Sequence, residues 1–463
     1  MTPYDLLKGS PHPLPFELYP YEVSTVNDLA ALDSQGLWLD TGTGKTATST
    51  AIALYKLIQR EAEHVLVLVP PILITGWKRW LDKIPGITTL VYRGTPKQRS
   101  DMNLRSCTFI LMSLQIFKRD YDRIERELGR RRVSLLIDEA HSLKNVSSKN
   151  YQHVRDFSAD KHIQLLSGTP VTSPGDVYAY TKLLRTKAYR SLNHFENVHV
   201  ALRDFFGNVM EWKNLDLLAE NLRLNSVRLL KQDVLKDLPE VTYTPLYYDL
   251  APDHYKLYGK LADEQLLKLG NGEKIDATQA TRLYHALQQI VVNYGYFSGD
   301  MEKESASIEL LEEVLSETQK LVVFTNYKLT NRLLIERLAK YNPRFIWGES
   351  TPGSQQDSID TFVNDPTCKA LVMNIQAGGV GIDSLQHVCN DVLFIEMPVT
   401  APMFHQAVAR VHRAGQKNKV NVMIAVAERT ISVRLFRNLM EKDKLVNQVV
   451  RGTQDLKDAI FGG

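Results

Sequence analysis

The run Asp40-Thr41-Gly42-Thr43-Gly44-Lys45-Thr46 has the residue types of a phosphate-binding loop. Its glycines let backbone N–H groups turn inward around phosphate oxygens. A short apolar strand, Leu37–Leu39, precedes the loop, and a helix over Ala47–Gln59 is predicted to follow. The start of that helix would add the positive end of its dipole. Thr41, Gly42, Thr43 and Gly44 are therefore expected to cradle a nucleotide. Lys45 is expected to reach its terminal phosphates, and Thr46 to ligate Mg2+. Leu39 stands where the general pattern has glycine.

Three further clusters could work with this loop. Asp138-Glu139-Ala140-His141 ends the apolar run Leu135–Ile137. Asp138 is expected to share the Mg2+, and Glu139 to orient and deprotonate an attacking water. Adjacent acids at a strand end are commonly a solvated turn; here they follow a phosphate loop. Ser167-Gly168-Thr169-Pro170 is an ordinary turn by itself, and in series with the others suggests a loop coupling the nucleotide site to the rest of the chain. Last comes Gln406-Ala407-Val408-Ala409-Arg410-Val411-His412-Arg413. On a helix Gln406, Arg410 and Arg413 would share one face. Two arginines there could stabilise charge on a transferring phosphoryl group.

Short apolar, β-branched runs are spaced to position these clusters. They are Gly36–Leu39, Val65–Val69, Phe109–Met112, Leu135–Ile137 and Ile163–Leu166, then Leu321–Phe324, Phe345–Trp347, Ala370–Met373, Val392–Ile395 and Val422–Val426. Continuous apolar runs of this length suit strands covered on both faces, and their alternation with helical segments suggests doubly wound parallel sheets. Two groups of runs imply two lobes. From about 176 to 317 the strand signal fades. Helical stretches such as Asn214–Leu230 and His254–Leu269 dominate, with one extended piece at Thr242–Asp249. The proline in Leu235–Glu240 marks a hinge. The expected division is 1–235, with a helical insertion at about 176–230, and 236–463. The second part would hold an insertion at about 250–304, a core at about 305–430 and C-terminal helices at 431–463.

Composition narrows the function classes. The 463 residues carry 56 Lys+Arg against 53 Asp+Glu, a net charge of +3. Any nucleic-acid site must then be local rather than a field over the whole molecule. Cys107, Cys368 and Cys389 lie far apart, without CxxC spacing, so neither a disulfide framework nor a zinc site is expected. A reducing, intracellular compartment suits them. No apolar run approaches the roughly 18–20 residues of a membrane span, and the N-terminus lacks the basic start and apolar block of a secretory signal. No membrane partner is expected.

Taken together, DTGTGKT, DEAHSLKN, SGTP, QAGGVGID and QAVARVHRAGQ resemble the motifs of the superfamily-two helicases. With KQDVLKDLPEV ahead of YYDLAPDHYKLY, they look more narrowly like the Swi/Snf-related DNA translocases. The resemblance implies an α/β fold of two RecA-like doubly wound lobes with helical insertions, and ATP with Mg2+ as cofactors. Lys45, Thr46, Asp138 and Glu139 would act from the first lobe. Arg410 and Arg413, with Gln406, would act from the second as arginine fingers. Gly379 and Gly381 would bring backbone close to the γ-phosphate. Tyr21 and Glu22 fall where relatives recognise adenine with an aromatic and a glutamine; a carboxylate there can accept from the base but cannot donate, so weaker base selectivity is expected. Pro70, Trp77, Ser113, Thr325 and Asn326 would face DNA and bind phosphates without reading bases. The implied partner is double-stranded or branched DNA, gripped by a monomer that would be targeted by its insertions or by a protein partner. The compact motor points to the cytoplasm of a bacterial or virus-infected bacterial cell.

Overall fold

The computed structural model describes residues 1–205, 207–269, 277–375, 384–398, 400–437 and 439. Two compact units emerge, Met1–Lys236 and Asp237–Lys442. The chain leaves the first for the second inside the Leu235–Glu240 stretch.

The first unit is built on strands β1 (Ser34–Leu39), β2 (His64–Leu68), β3 (Thr89–Val91), β4 (Phe109–Met112), β5 (Val133–Asp138) and β6 (His162–Leu166), with β7 (Val200–Arg203), β8 (Val209–Trp212) and β9 (Ser226–Leu229). Seven of them form one sheet in the order β3-β4-β2-β5-β6-β1-β9. Every pairing in it is parallel. Alternate residues enter opposite cores. Leu66 and Leu68 of β2 join a cluster with Trp38, Leu135 and Ile163, whereas Val65 and Val67 join Leu37, Leu136 and Leu166. The period of two along a strand sends successive side chains to opposite faces. Helices cover both faces, which is why these strands read as unbroken apolar runs.

The second unit holds β10 (Val241–Tyr248), β11 (Leu321–Thr325), β12 (Arg344–Ile346), β13 (Ala370–Asn374), β14 (Asp391–Phe394) and β15 (Val420–Ala427). Their order is β10-β15-β14-β11-β13-β12, again parallel throughout. Val322 and Phe324 point into one core, Leu321 and Val323 into the other. The extended piece expected near Thr242–Asp249 is the edge strand β10, where Pro245 costs no ladder bond on the open side. Both lobes are thus RecA-like doubly wound α/β layers.

Three expectations need correction. The span after about 176 is not purely helical: β7 and β8 form an antiparallel pair, and β9 joins the main sheet beside β1. The predicted helix Asn214–Leu230 stops at Arg223. Leu224 turns extended, Asn225 adopts a left-handed φ of 54°, and the chain enters β9. Asn225 is suited to that turn because its short polar side chain tolerates the conformation; its amide also donates to Leu184 O at 3.2 Å. Finally, the helix expected to carry Gln406, Arg410 and Arg413 on one face spans only Ala401–Val408. Of the C-terminal helices, residues 431–437 are helical; residues 440–463 lie outside the described residues.

Candidate active site

Topology gathers the first-unit motifs at one edge of the sheet. β5, β6, β1 and β9 are neighbours, and Asp138, Ser167-Gly168, the Asp40–Thr46 loop and Arg228 lie at their carboxyl ends. Ligands of open parallel sheets bind beyond those ends.

The Asp40–Thr46 loop turns at its glycines and leads straight into a helix. Gly42 and Gly44 have φ of 85° and 81°, and Lys45 opens the helix Lys45–Ile58. The Thr43 hydroxyl turns back to donate to Asp40 O at 2.7 Å, so it tightens the loop. Lys45 Nζ donates to Leu39 O at 2.8 Å. Burial pushes its pKa down, against the opposing pull of Glu139, Asp138 and Asp40. Three carboxylates, Glu139, Asp138 and Asp40, share the field of Lys45 and Arg228, an excess of acid that a cation would relieve.

Asp138 is the last residue of β5 and is buried. Its Oδ1 accepts from Glu139 N at 3.0 Å and its Oδ2 from Trp77 Nε1 at 2.8 Å. Burial, and then the charge of Glu139, hold its pKa above the usual carboxylate range. Glu139 sits at φ 54°, ψ 53°. A non-glycine residue in that left-handed region costs about 1 kcal/mol or more, and such strain gathers at functional sites. His141 Nδ1 lies 3.2 Å from Glu139 Oε2, within ion-pair reach, but the two are not aligned for a hydrogen bond.

Gly168 joins the second loop to the first. A methyl group there would sit 3.1 Å from Thr41 Oγ1 and 3.2 Å from Lys45 Nζ. The fit is tight: a side chain there would require its neighbours to give by a few tenths of an ångström. Arg228 completes the arrangement from β9. Its guanidinium donates to Asp40 Oδ1 at 2.7 Å, Trp38 O at 2.7 Å and Gly168 O at 3.2 Å. The second Asp40 oxygen accepts from Lys231 N at 3.0 Å. Burial raises the Asp40 carboxyl, but Arg228 and the Lys231 N–H outweigh it and keep it ionised. Sequence reasoning missed Arg228. Its only signal was a lone arginine in the otherwise apolar-leaning SVRLL just before KQDVLKDLPEV.

Tyr21 and Glu22 lie on the helix Pro20–Leu29. Tyr21 stacks on Tyr19, centroids 5.6 Å apart. Glu22 is buried, and its Oε2 accepts from Tyr19 N at 2.8 Å. Its other oxygen lies against Gly44, where a Cβ would come within 1.5 Å of it. Burial pushes this carboxyl up to about 7, opposed by the Tyr19 N–H. Near neutrality a protonated fraction can donate, which the sequence reading of a carboxylate left out.

The residues expected to face DNA are placed otherwise. Trp77 is buried on the helix Ile74–Leu81, with its indole on Asp138. Ser113 is buried and its hydroxyl accepts from Ile116 N, capping the helix Leu114–Arg119. Thr325 is buried and its hydroxyl donates to Asn331 Oδ1 at 2.6 Å. Asn326 N and Tyr327 N donate to the buried carboxylate of Glu396 at 2.7 and 3.0 Å. These amides therefore already hold an internal carboxyl group. Pro70 remains half-buried ahead of its helix. Side chains this deep cannot meet a phosphate backbone without the loops opening.

In the second unit Gln406, Arg410 and Arg413 are half-buried. Arg410 and Arg413 follow the helix in tight turns: Arg410 N donates to Ala407 O and Val411 N to Val408 O. Gly415 at φ 92° and the Gln416 amide, which donates to Cys389 O at 2.9 Å, anchor the end of the stretch. Gly379 and Gly381 lie outside the described residues.

The SNF2-related domain matches residues 22–294, more than half of the chain, and the helicase conserved C-terminal domain matches 302–415. The chain belongs to the SNF2-related family. That makes it an ATPase of the SNF2 type, within a family of ATP-dependent helicases. It is similar to an uncharacterized ATP-dependent helicase of Mycoplasma pneumoniae, 26% identical over 83% of this chain and 37% of that one. A Bacillus subtilis ATP-dependent helicase is 23% identical over 98% of this chain and 82% of its own length. The mouse chromodomain-helicase-DNA-binding protein 1-like is 24% identical over 89% and 47%. The chain spans little more than a third of the Mycoplasma relative and about half of the mouse one. Among the described residues no helix is long and apolar enough to cross a membrane.

Proposed function

We propose that this SNF2-type ATPase is a translocase on double-stranded DNA, moving along the duplex or displacing bound proteins without obligatory strand separation. The observation that carries the catalytic part is the convergence of Lys45, Asp138, Glu139 and Gly168 at the carboxyl edge of one sheet. DNA as the track rests on the motif resemblance and on family membership; a DNA-binding helicase is among the relatives.

Lys45 would take the terminal phosphates, which would draw its ammonium from Leu39 O. Glu139, held beside Asp138 on a strained backbone, is the base for the attacking water. Thr46 and Asp138 are assigned to Mg2+. Their donor set fits that ion: one hydroxyl and one carboxylate, in a site whose acids already outnumber its cations, with phosphate oxygens and water as further ligands. When bound, Mg2+ would neutralise charge on the terminal phosphates. Gly168 and Arg228 would keep the phosphate loop in register. Arg410 and Arg413 are assigned to stabilise charge on the transferring phosphoryl group, with Gln406 beside them. Phosphate contacts dominate sequence-independent DNA binding, so affinity should fall steeply with salt.

The test is ATP turnover by Lys45→Ala and Glu139→Gln, with and without duplex DNA. Both should lose turnover while keeping the native circular dichroism spectrum. Survival of DNA-stimulated hydrolysis in Glu139→Gln would remove that residue as the base.

A further inference from the structure

The helix Ile74–Leu81 carries two indoles that bond two different elements beside the candidate nucleotide site. Trp77 Nε1 donates to Asp138 Oδ2 at 2.8 Å. Trp80 Nε1 donates to Thr50 Oγ1 at 3.1 Å, and that hydroxyl donates in turn to Thr46 O at 2.6 Å. One helix is thus tied both to the carboxylate at the end of β5 and to the first turn of the phosphate-loop helix. It follows β2, which pairs directly with β5. Its entry is stiffened by Pro70 and Pro71, and Gly76 and Arg79 are exposed on it.

An indole N–H is a donor only and has one direction in which to give its hydrogen bond. Trp77 is 3% exposed, so its ring is fixed by packing among the apolar side chains on that face of the sheet. The remaining Asp138 oxygen accepts from Glu139 N. Between them, the two donors fix the plane of the carboxylate and hold it beside the phosphate loop. Neither donor is charged, so neither competes with a cation for the site.

We propose that Trp77 is a positioning residue for the reaction: its indole sets the orientation in which Asp138 meets Mg2+, and with Trp80 it makes the helix Ile74–Leu81 the element that couples the segment after β2 to the nucleotide site. This rests on the reading of Asp138 as the Mg2+ ligand. It assigns Trp77 an inward role in place of the DNA contact expected from the sequence.

The test is binding of a fluorescent N-methylanthraniloyl ATP by the full chain, in EDTA and across a Mg2+ titration. Trp77→Phe keeps an aromatic ring in the core and deletes the donor. It should bind the nucleotide in EDTA as the wild type does, yet need about tenfold more Mg2+ for tight binding, the loss typical of removing a hydrogen-bond partner of a metal ligand. Asp138→Asn separates the two readings. If Asp138→Asn shifts the Mg2+ requirement and Trp77→Phe does not, the Trp77 proposal is overturned. If Asp138→Asn leaves it unchanged, the assignment of Asp138 to Mg2+ fails first. A second measurement needs no stable Trp77 variant. With 15N-indole tryptophan in wild type and Asp138→Asn, the resonance most displaced by that substitution identifies the indole on Asp138. In the wild type it should move when Mg2+ joins bound nucleotide and stay still with nucleotide in EDTA. If Asp138→Asn displaces no indole resonance, or if the displaced one does not move when Mg2+ joins bound nucleotide, the proposal is overturned.

Discussion

Glu396→Gln should make the second unit insensitive to pH in a range where the wild type weakens. Glu396 follows β14, is 4% exposed, and accepts hydrogen bonds from Asn326 N, Tyr327 N and Thr330 Oγ1. Burial lifts its carboxyl from 4.5 to about 7 despite these donors. The folded state then binds the proton more tightly than the unfolded chain does. For a raised carboxyl, stability is fullest at low pH and falls as pH rises from the unfolded value through the folded one. At 1.36 kcal/mol per pH unit the whole effect is about 3 kcal/mol, of which about 2.5 kcal/mol is lost between pH 5 and pH 8. Glutamine keeps a carbonyl oxygen for the two backbone N–H groups and cannot ionise. The assay is thermal unfolding of wild type and variant at steps from pH 5 to pH 8. Taking their difference at each pH cancels Glu22 and other groups common to both. The two should agree near pH 5, and the variant should melt about 5–10 °C higher at pH 8, given a shift of roughly 2–4 °C per kcal/mol for a unit of this size. Parallel curves, or a gap that widens toward acid, would refute the reasoning.

Glu22 should carry the same sign into nucleotide binding. As pH rises through about 7 its carboxyl loses the proton that it could donate, so ATP affinity should fall between pH 6 and pH 8 in the wild type and stay level in Glu22→Gln. The ratio of kcat/KM for ATP over GTP should rise in Glu22→Gln. Gly168→Ala would press a methyl group on Thr41 and Lys45; at about 1–2 kcal/mol of lost stability for such crowding, the melting temperature should fall by about 2–8 °C, and kcat/KM for ATP should fall with it as the loop shifts. Arg228→Met removes the partner of Asp40. It should cost about 2 kcal/mol in nucleotide binding, as for hydrogen bonds to charged groups, and Asp40→Asn should cost less in the Arg228→Met background than alone.

The parts of the site that were legible in the sequence are those whose geometry is local. A phosphate loop is a turn between one strand and one helix, so its glycines, lysine and threonine announce themselves within seven residues. Asp138 and Glu139 were readable because they end an apolar run. Buried parallel strands were readable because both faces are covered and the run is unbroken. What escaped depends on pairing across long stretches of chain. Arg228 reaches Asp40 only because the half-buried strand β9 joins the far side of β1. Four residues, one of them arginine and none fully buried, give no periodic signal. Trp77 looked like a surface aromatic until the adjacency of β2 and β5 turned it toward Asp138. The arginine stretch failed for another reason: an apolar pattern continues past Val408, but tighter turns replace the helix there, ending at a left-handed glycine.

The most direct test is steady-state ATP hydrolysis by wild type and Glu139→Gln with linear duplex, forked duplex, single-stranded DNA or RNA, each at two salt concentrations. Strong stimulation by linear duplex, weakened at the higher salt and absent from the variant, is the predicted result. Turnover that no nucleic acid stimulates, or that Glu139→Gln retains, would contradict a duplex translocase working through this site.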